Sequence, residues 1–288
     1  MHCPVCGNKG NMIHKGTRDN PSVNVYQCDA CGSKYLDRII ANDYEHGFMN
    51  GTIHMSDEEV RLRLEECEQD DSRRFLRMKN ICEKKSVLDF GCGFGGFLSK
   101  VKDISSRCVG IELGLDERSY MEGIGLEVYS SIDELEEIDK FDNITLFHVF
   151  EHLDRPVEVL RKLHKHLKED GKLIIEVPNA NDALLSLYKS KAFADFTYWS
   201  AHLILYTPKS LTQIINEAGG YIIKSVEFVQ RYPLSNHLYW LANGKPGGQN
   251  VWPELDNKEL KDAYVHMLID KEISDTLFFV LSKENTYI

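Results

Sequence analysis

A glycine-rich segment carries the residue types and the spacing that a nucleotide-binding loop needs. Gly91, Gly93 and Gly95 follow the apolar segment 86–90. Glycine permits a sharp turn and lets backbone N–H groups come close to a ligand. Glu112 lies about twenty residues farther along, at the end of a second apolar segment, where a carboxylate can accept hydrogen bonds from both hydroxyls of a ribose. This pattern predicts binding of an adenosine-containing cofactor.

Asp89, just before the first glycine, distinguishes between the cofactors that such a loop can bind. The glycines alone also fit a dinucleotide, so an NAD-dependent oxidoreductase is one hypothesis and a structural turn without a ligand is another. The Asp89 carboxylate would repel a pyrophosphate, but it suits a cationic ligand such as an ammonium group beside a sulfonium. The form Asp-x-Gly-x-Gly-x-Gly at 89–95 resembles motif I of the class I S-adenosylmethionine (SAM) methyltransferases. The resemblance implies SAM as the cofactor.

Strand-like and helical segments alternate around this motif. The strand-like segments lie at 86–90, 108–111, 126–129, 141–147 and 173–177. Their alternation with helical patterns predicts an α/β fold with a doubly wound, mostly parallel sheet. Ligands bind such sheets at the carboxyl ends of the strands, so residues 148–152 should face the same crevice as the glycine loop. After the third strand, Asp133 either bonds the adenine amine or caps a helix over 134–138.

Two histidines that follow these strands are candidates for proton transfer. His152 comes after the fourth strand and His202 after the fifth, and histidine titrates near neutral pH. Either one can remove the proton from an acceptor, with Glu151 as a third catalytic candidate; a structural histidine bonded to the backbone is the alternative for each. Tyr198 and Trp199 precede His202 and can form the wall of a substrate pocket.

A second, more specific resemblance begins in residues 141–179. A Glu-His pair, a following Asp-x-Pro and a closing Val-Pro-Asn are similar to the family that includes ubiquinone-pathway O-methyltransferases and zinc-bearing sugar C-methyltransferases. The similarity extends over 85–228. It implies a seven-stranded Rossmann-like methyltransferase sheet whose edge is an antiparallel pair, 221–229 with 276–281.

The same resemblance bears on the histidine-rich segment. In the quinone branch, side chains placed like those of His148, Glu151 and His152 hold a divalent metal, although His148 replaces an acidic ligand here. The sugar branch has Glu-His where this chain has Ala201-His202. Because it lies at the end of the fourth strand, His148 is also a candidate cofactor-binding residue.

Four of the eight cysteines form two Cys-x-x-Cys-Gly motifs, Cys3 with Cys6 and Cys28 with Cys31. Four thiolates at this spacing can surround a tetrahedral zinc ion, and the glycine after each pair lets backbone N–H groups turn toward the sulfurs. A shell of four cysteines leaves no open position for a substrate, so the zinc should be structural. The motifs predict a small zinc ribbon over residues 1–40; redox or disulfide cysteines are the alternative.

The rest of the chain is predicted to have two parts. Residues 41–85 are a linker and a leading helix, and the helix opens with a Ser-x-x-Glu capping box. In the linker, Tyr44, His46 and Phe48 either fold over the cofactor or belong to an ordinary surface connection. Residues 86–288 form the methyltransferase domain.

An insertion at 230–272 separates the last two predicted strands of that domain. Its aromatic, amide and basic side chains suit a polar ligand with hydroxyl groups and a phosphate. An extended surface loop with its own aromatic core is the alternative. The candidate substrate-binding residues here are Arg231, Asn236, Tyr239 and Lys245.

Charge and composition narrow the choice of partner. The chain has 288 residues and a formal net charge of −11, which argues against a nucleic-acid backbone as its ligand. No apolar run is long enough to span a bilayer, and the first residues do not begin a signal peptide, so we expect a cytoplasmic protein.

Together these patterns predict an enzyme that transfers the methyl group of SAM to a small polar acceptor. A hydroxyl group of a nucleotide-linked or surface-glycan sugar is the expected acceptor, which places the protein in carbohydrate biosynthesis. An RNA methyltransferase with a zinc-ribbon reader and a non-catalytic SAM-binding protein are the alternatives. The acceptor's identity, the methylated atom and the oligomeric state stay open at this point.

Overall fold

Strands and helices alternate along most of the chain in the computed structural model, which describes residues 1–40 and 55–284. The strands are β1 (Gly10–His14), β2 (Val25–Cys28), β3 (Lys34–Leu36), β4 (Ser86–Phe90), β5 (Arg107–Ile111), β6 (Glu127–Tyr129), β7 (Phe141–Phe147), β8 (Leu167–Pro178), β9 (Ile204–Leu205), β10 (Tyr221–Val229) and β11 (Thr276–Lys283). The helices are α1 (Asp57–Cys82), α2 (Gly96–Val101), α3 (Leu115–Gly123), α4 (Pro156–His166), α5 (Ala183–Ser186), α6 (Lys191–Thr197), α7 (Pro208–Ala218), α8 (Leu234–Asn243) and α9 (Lys258–Asp270).

The main sheet has seven strands in the spatial order β10-β11-β8-β7-β4-β5-β6. Neighbours from β8 to β6 are parallel, whereas β11 runs antiparallel to both β8 and β10. This order confirms the predicted α/β fold and its antiparallel edge pair. The last strand continues past the predicted end at Leu281 to Lys283.

Helices cover both faces of the sheet, because successive residues of the central strands point to opposite sides. Val87 packs in the same buried cluster as Met78 of α1 and Phe97 of α2. The next residue, Leu88, belongs to the cluster that holds Leu160 of α4 and residues of α7. Strands buried on both faces are apolar throughout, which explains the continuous apolar segments in the sequence.

Capping residues set the helix starts as the sequence predicts. Ser56 and Glu59 form the capping box of α1, and Thr207 caps α7. Two predictions at helix ends were wrong. Pro156 and Gly171 in the sequence favour a helix that begins at the proline and ends at the glycine. The helix begins at Pro156 but ends at His166, because the chain enters β8 there. The predicted helix over 134–138 is replaced by a short 3₁₀ turn, Ile132–Glu134.

The N-terminal residues form a second sheet, with the order β1-β2-β3-β9. The strand β1 lies between the two cysteine pairs, β2 ends at Cys28, β3 follows the second pair, and β9 comes from the chain after α6. Lys34 and Tyr35 pair antiparallel with Leu205 and Ile204. The sheet therefore joins the cysteine-bearing segment to the part of the chain that carries His202. The predicted linker residues Tyr44, His46 and Phe48 lie outside the described residues.

The length and the apolar character of the helices decide whether one of them could cross a membrane. Within residues 1–40 and 55–284, no helix has both the length and the apolar character needed to cross a bilayer.

Candidate active site

The glycine loop after β4 brings together the residues that the sequence predicts for cofactor binding. Gly91, Gly93 and Gly95 have φ angles of 74°, 54° and 70°, in the left-handed region that favours glycine. Glu112 lies directly beside the loop, since its carboxylate accepts hydrogen bonds from the N–H of Gly93 at 2.8 Å and of Gly114 at 2.9 Å. A carboxylate and several backbone N–H groups thus share one small region at the carboxyl ends of β4 and β5.

Asp89 lies beneath this loop rather than open within it. Its side chain is buried, and Oδ1 accepts a hydrogen bond of 2.6 Å from the hydroxyl of Thr145 on β7. Burial raises the pKa of this carboxyl to about 7. The bond joins the first strand of the loop motif to the strand that leads into the histidine segment.

Asp133 is placed after β6 but does not act as the helix cap. Ser131 caps the 3₁₀ turn there, accepting a hydrogen bond from the Asp133 N–H. The Asp133 carboxylate is exposed and lies 2.5 Å from the ammonium group of Lys162 on α4. That ion pair would have to open before the carboxylate could bond an adenine amine.

The segment after β7 packs directly against the glycine loop. A Cβ atom built on Gly91 would lie only 2.4 Å from a methyl group of Val149, so the Val149 side chain occupies the space beside Gly91. His148 precedes Val149 with a φ of 56°, an uncommon value for a residue other than glycine. Its N–H donates to the carbonyl of Glu176 at 2.8 Å. This anchoring turns the chain so that the residues after β7 stand at the cofactor loop.

Glu151, His152 and His202 form a compact cluster at this edge of the sheet. One potential ligand atom from each residue lies within 4.8 Å of the other two, and the histidine ring centroids are 5.1 Å apart. Nδ1 of His152 is 2.8 Å from the carbonyl of Ala201, and Nδ1 of His202 is 3.1 Å from the carbonyl of Thr197. Because a carbonyl only accepts, each Nδ1 carries the hydrogen and each Nε2 carries the lone pair.

The charges in this cluster are set by burial and by the neighbouring rings. Burial lowers the pKa of His202 to about 4, so its imidazole is neutral at pH 7. Burial opposes ionisation of Glu151, but His148, His152 and His202 lower the pKa of its carboxyl to about 2. Neither oxygen of Glu151 has a hydrogen-bond partner among the described residues, although Nδ1 of His148 lies 3.4 Å from Oε1. The Glu151 carboxylate can therefore bind a proton, a hydrogen-bond donor or a cation.

The four N-terminal cysteines also converge on one point. The sulfurs of Cys3 and Cys31 are 3.6 Å apart, those of Cys6 and Cys28 are 3.4 Å apart, and all four lie within 4.8 Å. A tetrahedral ion with Zn–S bonds of 2.3 Å needs sulfurs about 3.8 Å apart, so the set fits. Gly7 follows the first pair with a φ of 70°, as the predicted turn toward the sulfurs requires.

Residues 61–225, more than half of the chain, match the family described as methyltransferase domain. The chain belongs to this family. Its sheet order and its SAM-type glycine motif agree with that membership.

The relatives of this methyltransferase differ in what they act on. An uncharacterized protein of Methanocaldococcus jannaschii is 34% identical over 124 residues, 42% of this chain and 52% of that protein. The chain thus spans about half the length of that relative. A ubiquinone biosynthesis O-methyltransferase of Aeromonas salmonicida is 27% identical over 54% of this chain and 70% of its own. A tRNA U34 carboxymethyltransferase of Aeromonas hydrophila is 30% identical over 31% of each chain.

Two solved structures share the fold of this methyltransferase. A putative methyltransferase in complex with the Haloferax volcanii Trm112 activator superposes with a TM-score of 0.55 at 16% identity, over 78% of this chain and 96% of its own. The plantazolicin methyltransferase BamL, bound to a substrate analogue and SAH, gives a TM-score of 0.52 at 16% identity, over 81% and 92%. At these identities the likeness shows the fold alone.

The substrate-side candidates separate into two groups in the methyltransferase structure. Tyr198 and Trp199 lie beside the cluster, with the Trp199 ring 6.0 Å from that of His152 and 5.4 Å from that of His202. Arg231 also reaches this region, because its Nη1 is 3.0 Å from Nε2 of His148.

The remaining substrate-side candidates lie in the insertion. Within the described ranges, no hydrogen bond, ion pair or ring contact joins Asn236, Tyr239 or Lys245 to the cluster. Asn236 is buried and accepts a hydrogen bond from the N–H of Gly247 at 2.9 Å. The Tyr239 ring packs edge-on against Trp252 with centroids 5.1 Å apart, and Lys245 is exposed. The contacts of Asn236 and Tyr239 thus lie within the insertion.

A buried charge network beside the cluster was missed by the sequence reasoning. Glu176 on β8 is fully buried and accepts hydrogen bonds from Arg73 and Arg74 of α1 at 2.8–3.0 Å. Burial opposes its ionisation, but His148 and the two arginines hold the pKa of this carboxyl well below its usual range. Asp70 pairs with Arg73 and Arg231. The available signal was Glu176 itself, the single carboxylate in the otherwise apolar segment 173–177.

Proposed function

We propose that this methyltransferase methylates a hydroxyl group of a small polar acceptor, a nucleotide-linked or surface-glycan sugar. The observation that carries the proposal is the cluster of Glu151, His152 and His202, which stands next to the cofactor loop through the contact between Val149 and Gly91. Imidazole Nε2 atoms beside a carboxylate are suited to accept the proton of a hydroxyl group. The ubiquinone biosynthesis relatives, which are O-methyltransferases by name, support this choice.

The cofactor side of the proposal rests on Glu112 and the glycine loop. Glu112 would accept hydrogen bonds from the ribose hydroxyls, and the N–H groups of the loop would face the rest of the ligand. A Cβ atom built on Gly93 meets nothing within 4 Å, so the loop leaves space on its outer side. SAM, when bound, supplies the electrophilic methyl group. His148, Asp89 and Asp133 complete the proposed cofactor-binding set.

The histidines would take the proton that the acceptor loses. As the acceptor oxygen forms its bond to the methyl carbon and the carbon–sulfur bond breaks, the hydroxyl proton passes to Nε2 of His152 or His202. The nearby Glu151 carboxylate stabilises the resulting imidazolium by its negative charge. Each Nδ1 stays bonded to its carbonyl, which keeps the ring orientation and the tautomer fixed. Tyr198 and Trp199 would form the wall against which the acceptor lies.

Zinc would have a structural role in this enzyme. Cys3, Cys6, Cys28 and Cys31 supply four sulfurs in a nearly tetrahedral set, which leaves no position for a substrate. The ribbon would span residues 1–40, with the linker and leading helix at 41–85 and the catalytic domain at 86–288.

A second candidate function for the cluster of Glu151, His152 and His202 is to bind a divalent cation at the acceptor side of the site. Both carboxylate oxygens of Glu151 lack a hydrogen-bond partner within the described ranges, and carboxylate and imidazole groups suit Mn²⁺ or Zn²⁺. The cluster contains His202 as its third member, whereas the resemblance to the quinone branch implies His148. Chelation that abolishes methyl transfer without changing the affinity for SAH, and recovery on adding Mn²⁺, would favour this candidate.

Thermal unfolding with different ligands tests the proposed function first. A ligand that prefers the folded state raises the midpoint by mass action, about 2.7 kcal/mol at one hundred times its Kd. We expect SAM and SAH to raise the Tm and NAD to leave it unchanged. Transfer of a labelled methyl group from SAM is then measured with nucleotide-linked sugars and with transfer RNA as acceptors. Methylation of RNA alone would replace the sugar by a nucleic-acid acceptor, and no shift with SAM or SAH would overturn the proposal.

A further inference from the structure

Arg18 connects the cysteine-bearing sheet to the loop that carries the candidate substrate wall. It lies between β1 and β2, and its backbone N–H donates to the carbonyl of Tyr198 at 2.8 Å. Its guanidinium carbon is 4.3 Å from the centroid of the Trp199 ring and 5.1 Å from that of Phe196. Arginine faces stack on aromatic rings at such distances. Arg18 is therefore held in place by its backbone and by two rings.

The stacking leaves the hydrogen-bonding edge of Arg18 unused. Its guanidinium has neither an ion pair nor a hydrogen bond with any residue in 1–40 or 55–284. The adjacent carboxylate, Asp19, is occupied by the N–H of Ser200 at 3.0 Å, by the Ser200 hydroxyl and by the Thr17 hydroxyl at 2.9 Å. The guanidinium carbon lies over two rings, and the N–H donors have no hydrogen-bond partner in the described part of the chain, so they are available for a planar or tetrahedral anion.

Trp199 places this cation near the histidine cluster. The same indole that contacts Arg18 lies edge-on to the rings of His152 and His202. Phe196 is 45% exposed and packs on Trp240, so an aromatic surface continues from Arg18 toward the insertion. An acceptor with its hydroxyl at the histidines can thus reach Arg18 by passing along Trp199.

We propose that Arg18 binds a phosphate group of the acceptor, so that the N-terminal ribbon contributes directly to substrate recognition. This inference rests on the proposed function and specifies its substrate class: a phosphorylated or diphosphate-linked acceptor, not a neutral one. Arginine donates two parallel hydrogen bonds to a phosphate, and the stacking on Trp199 and Phe196 has already restricted the side chain. The positive charge of Arg18 favours an anionic acceptor over a neutral one, whereas the chain as a whole carries a formal net charge of −11.

Calorimetric titration of the full chain with inorganic pyrophosphate, in the presence of saturating SAH, tests the inference. We expect the wild type to bind pyrophosphate, and Arg18→Gln to weaken this binding by about tenfold or more, since a hydrogen bond to a charged group contributes on the order of 1.5–3 kcal/mol. Arg18→Lys keeps the charge but loses the paired donors, so it should fall between the two. The matched control is Arg38→Gln, an exposed ribbon arginine that pairs with the neighbouring Asp37.

The outcomes separate this inference from the proposed function. Equal binding of pyrophosphate by the wild type and Arg18→Gln, or no binding by the wild type, overturns the role of Arg18 even where SAH binds normally. Preference for a dicarboxylate such as malonate over pyrophosphate overturns the phosphate assignment. Failure of SAH to bind overturns the proposed function alone, because the pyrophosphate titration can be repeated without SAH. An unchanged Tm of Arg18→Gln shows that the variant is folded.

Discussion

At the residue scale, His152 and His202 share one hydrogen-bonding pattern that allows a clean substitution. An asparagine at either position keeps an amide donor for the carbonyl that Nδ1 contacts, but it lacks Nε2. We expect His152→Asn and His202→Asn each to lower kcat by about 10²–10⁴-fold, the usual contribution of a general base. The Kd for SAH should stay within about threefold, since the loss concerns the acceptor side. Methyl-transfer kinetics and calorimetry measure the two quantities.

The pH dependence of stability gives His202→Asn a second readout. Burial lowers the pKa of His202 to about 4 from 6.5, so the unfolded chain binds a proton there before the folded chain does. Stability from this neutral histidine is present above pH 6.5 and is lost as the pH falls toward 4. Between pH 7 and 5 the wild type should lose about 2 kcal/mol of unfolding free energy relative to His202→Asn. A constant difference over this range, measured with urea, would contradict the assignment of a buried neutral ring.

Only some of the site residues could be predicted from the sequence. Gly91 and Glu112 were predicted to meet because the parallel neighbours β4 and β5 bring their carboxyl ends together. The contacts of Asn236 and Tyr239 within the insertion could not be predicted, since the folding of an insertion depends on contacts with no periodic pattern. His202 and Glu151 were named separately, but their proximity arises from a long-range bond between the N–H of Leu203 and the carbonyl of Glu151.

At the scale of elements, the ribbon sheet and the site loop form one hydrogen-bonded unit. The strand β3 pairs with β9, and the hydroxyl of Thr207 donates to the carbonyl of Cys31 at 2.7 Å. We expect Cys31→Ser, or removal of zinc by a chelator, to increase amide exchange in residues 198–207 and to reduce methyl transfer at least tenfold, because a structural zinc site stabilises its fold directly. The Kd for SAH should change little, since β4 and β5 lie elsewhere. Exchange mass spectrometry and metal analysis measure these effects.

The chain supplies a matched control for that experiment. Cys67 lies on the exposed face of α1 and is a cysteine outside the two pairs. Cys67→Ser should retain zinc, activity and the exchange pattern. Loss of zinc from Cys31→Ser with unchanged exchange in 198–207 would show that the ribbon and the site loop are independent.

The strands of the main sheet could be predicted, but the junction between the sheets could not. Segments such as 173–177 are almost entirely apolar because both faces are covered, and that leaves a clear pattern. The strand β9 has only two residues, Ile204 and Leu205, which is too short for any periodicity. Its pairing with β3 therefore appears only in the folded chain.

At the scale of the whole molecule, buried charges connect three parts of the chain that are distant in sequence. Arg73 and Arg74 of α1 bind Glu176 of β8, and Asp70 of α1 binds Arg231 at the start of the insertion. The carboxylate of Glu176 is fully buried, so it depends on these arginines for its charge. The leading helix, the sheet and the insertion are thus held together beside the cofactor loop, and the family match from residue 61 onward includes the helix.

Removing one arginine from this network should be costly, because it leaves a buried carboxylate with fewer partners. We expect Arg74→Met to lower the free energy of unfolding by roughly 2–4 kcal/mol, with Arg73 retaining part of the charge compensation. Arg61→Met is the matched control on the same helix, since Arg61 is exposed and pairs with Glu58 and Glu65. Its cost should be much smaller than that of Arg74→Met, because solvent screens an exposed ion pair. Urea denaturation at pH 7 measures both values, and equal costs would mean that solvent, rather than Arg74, compensates the charge of Glu176.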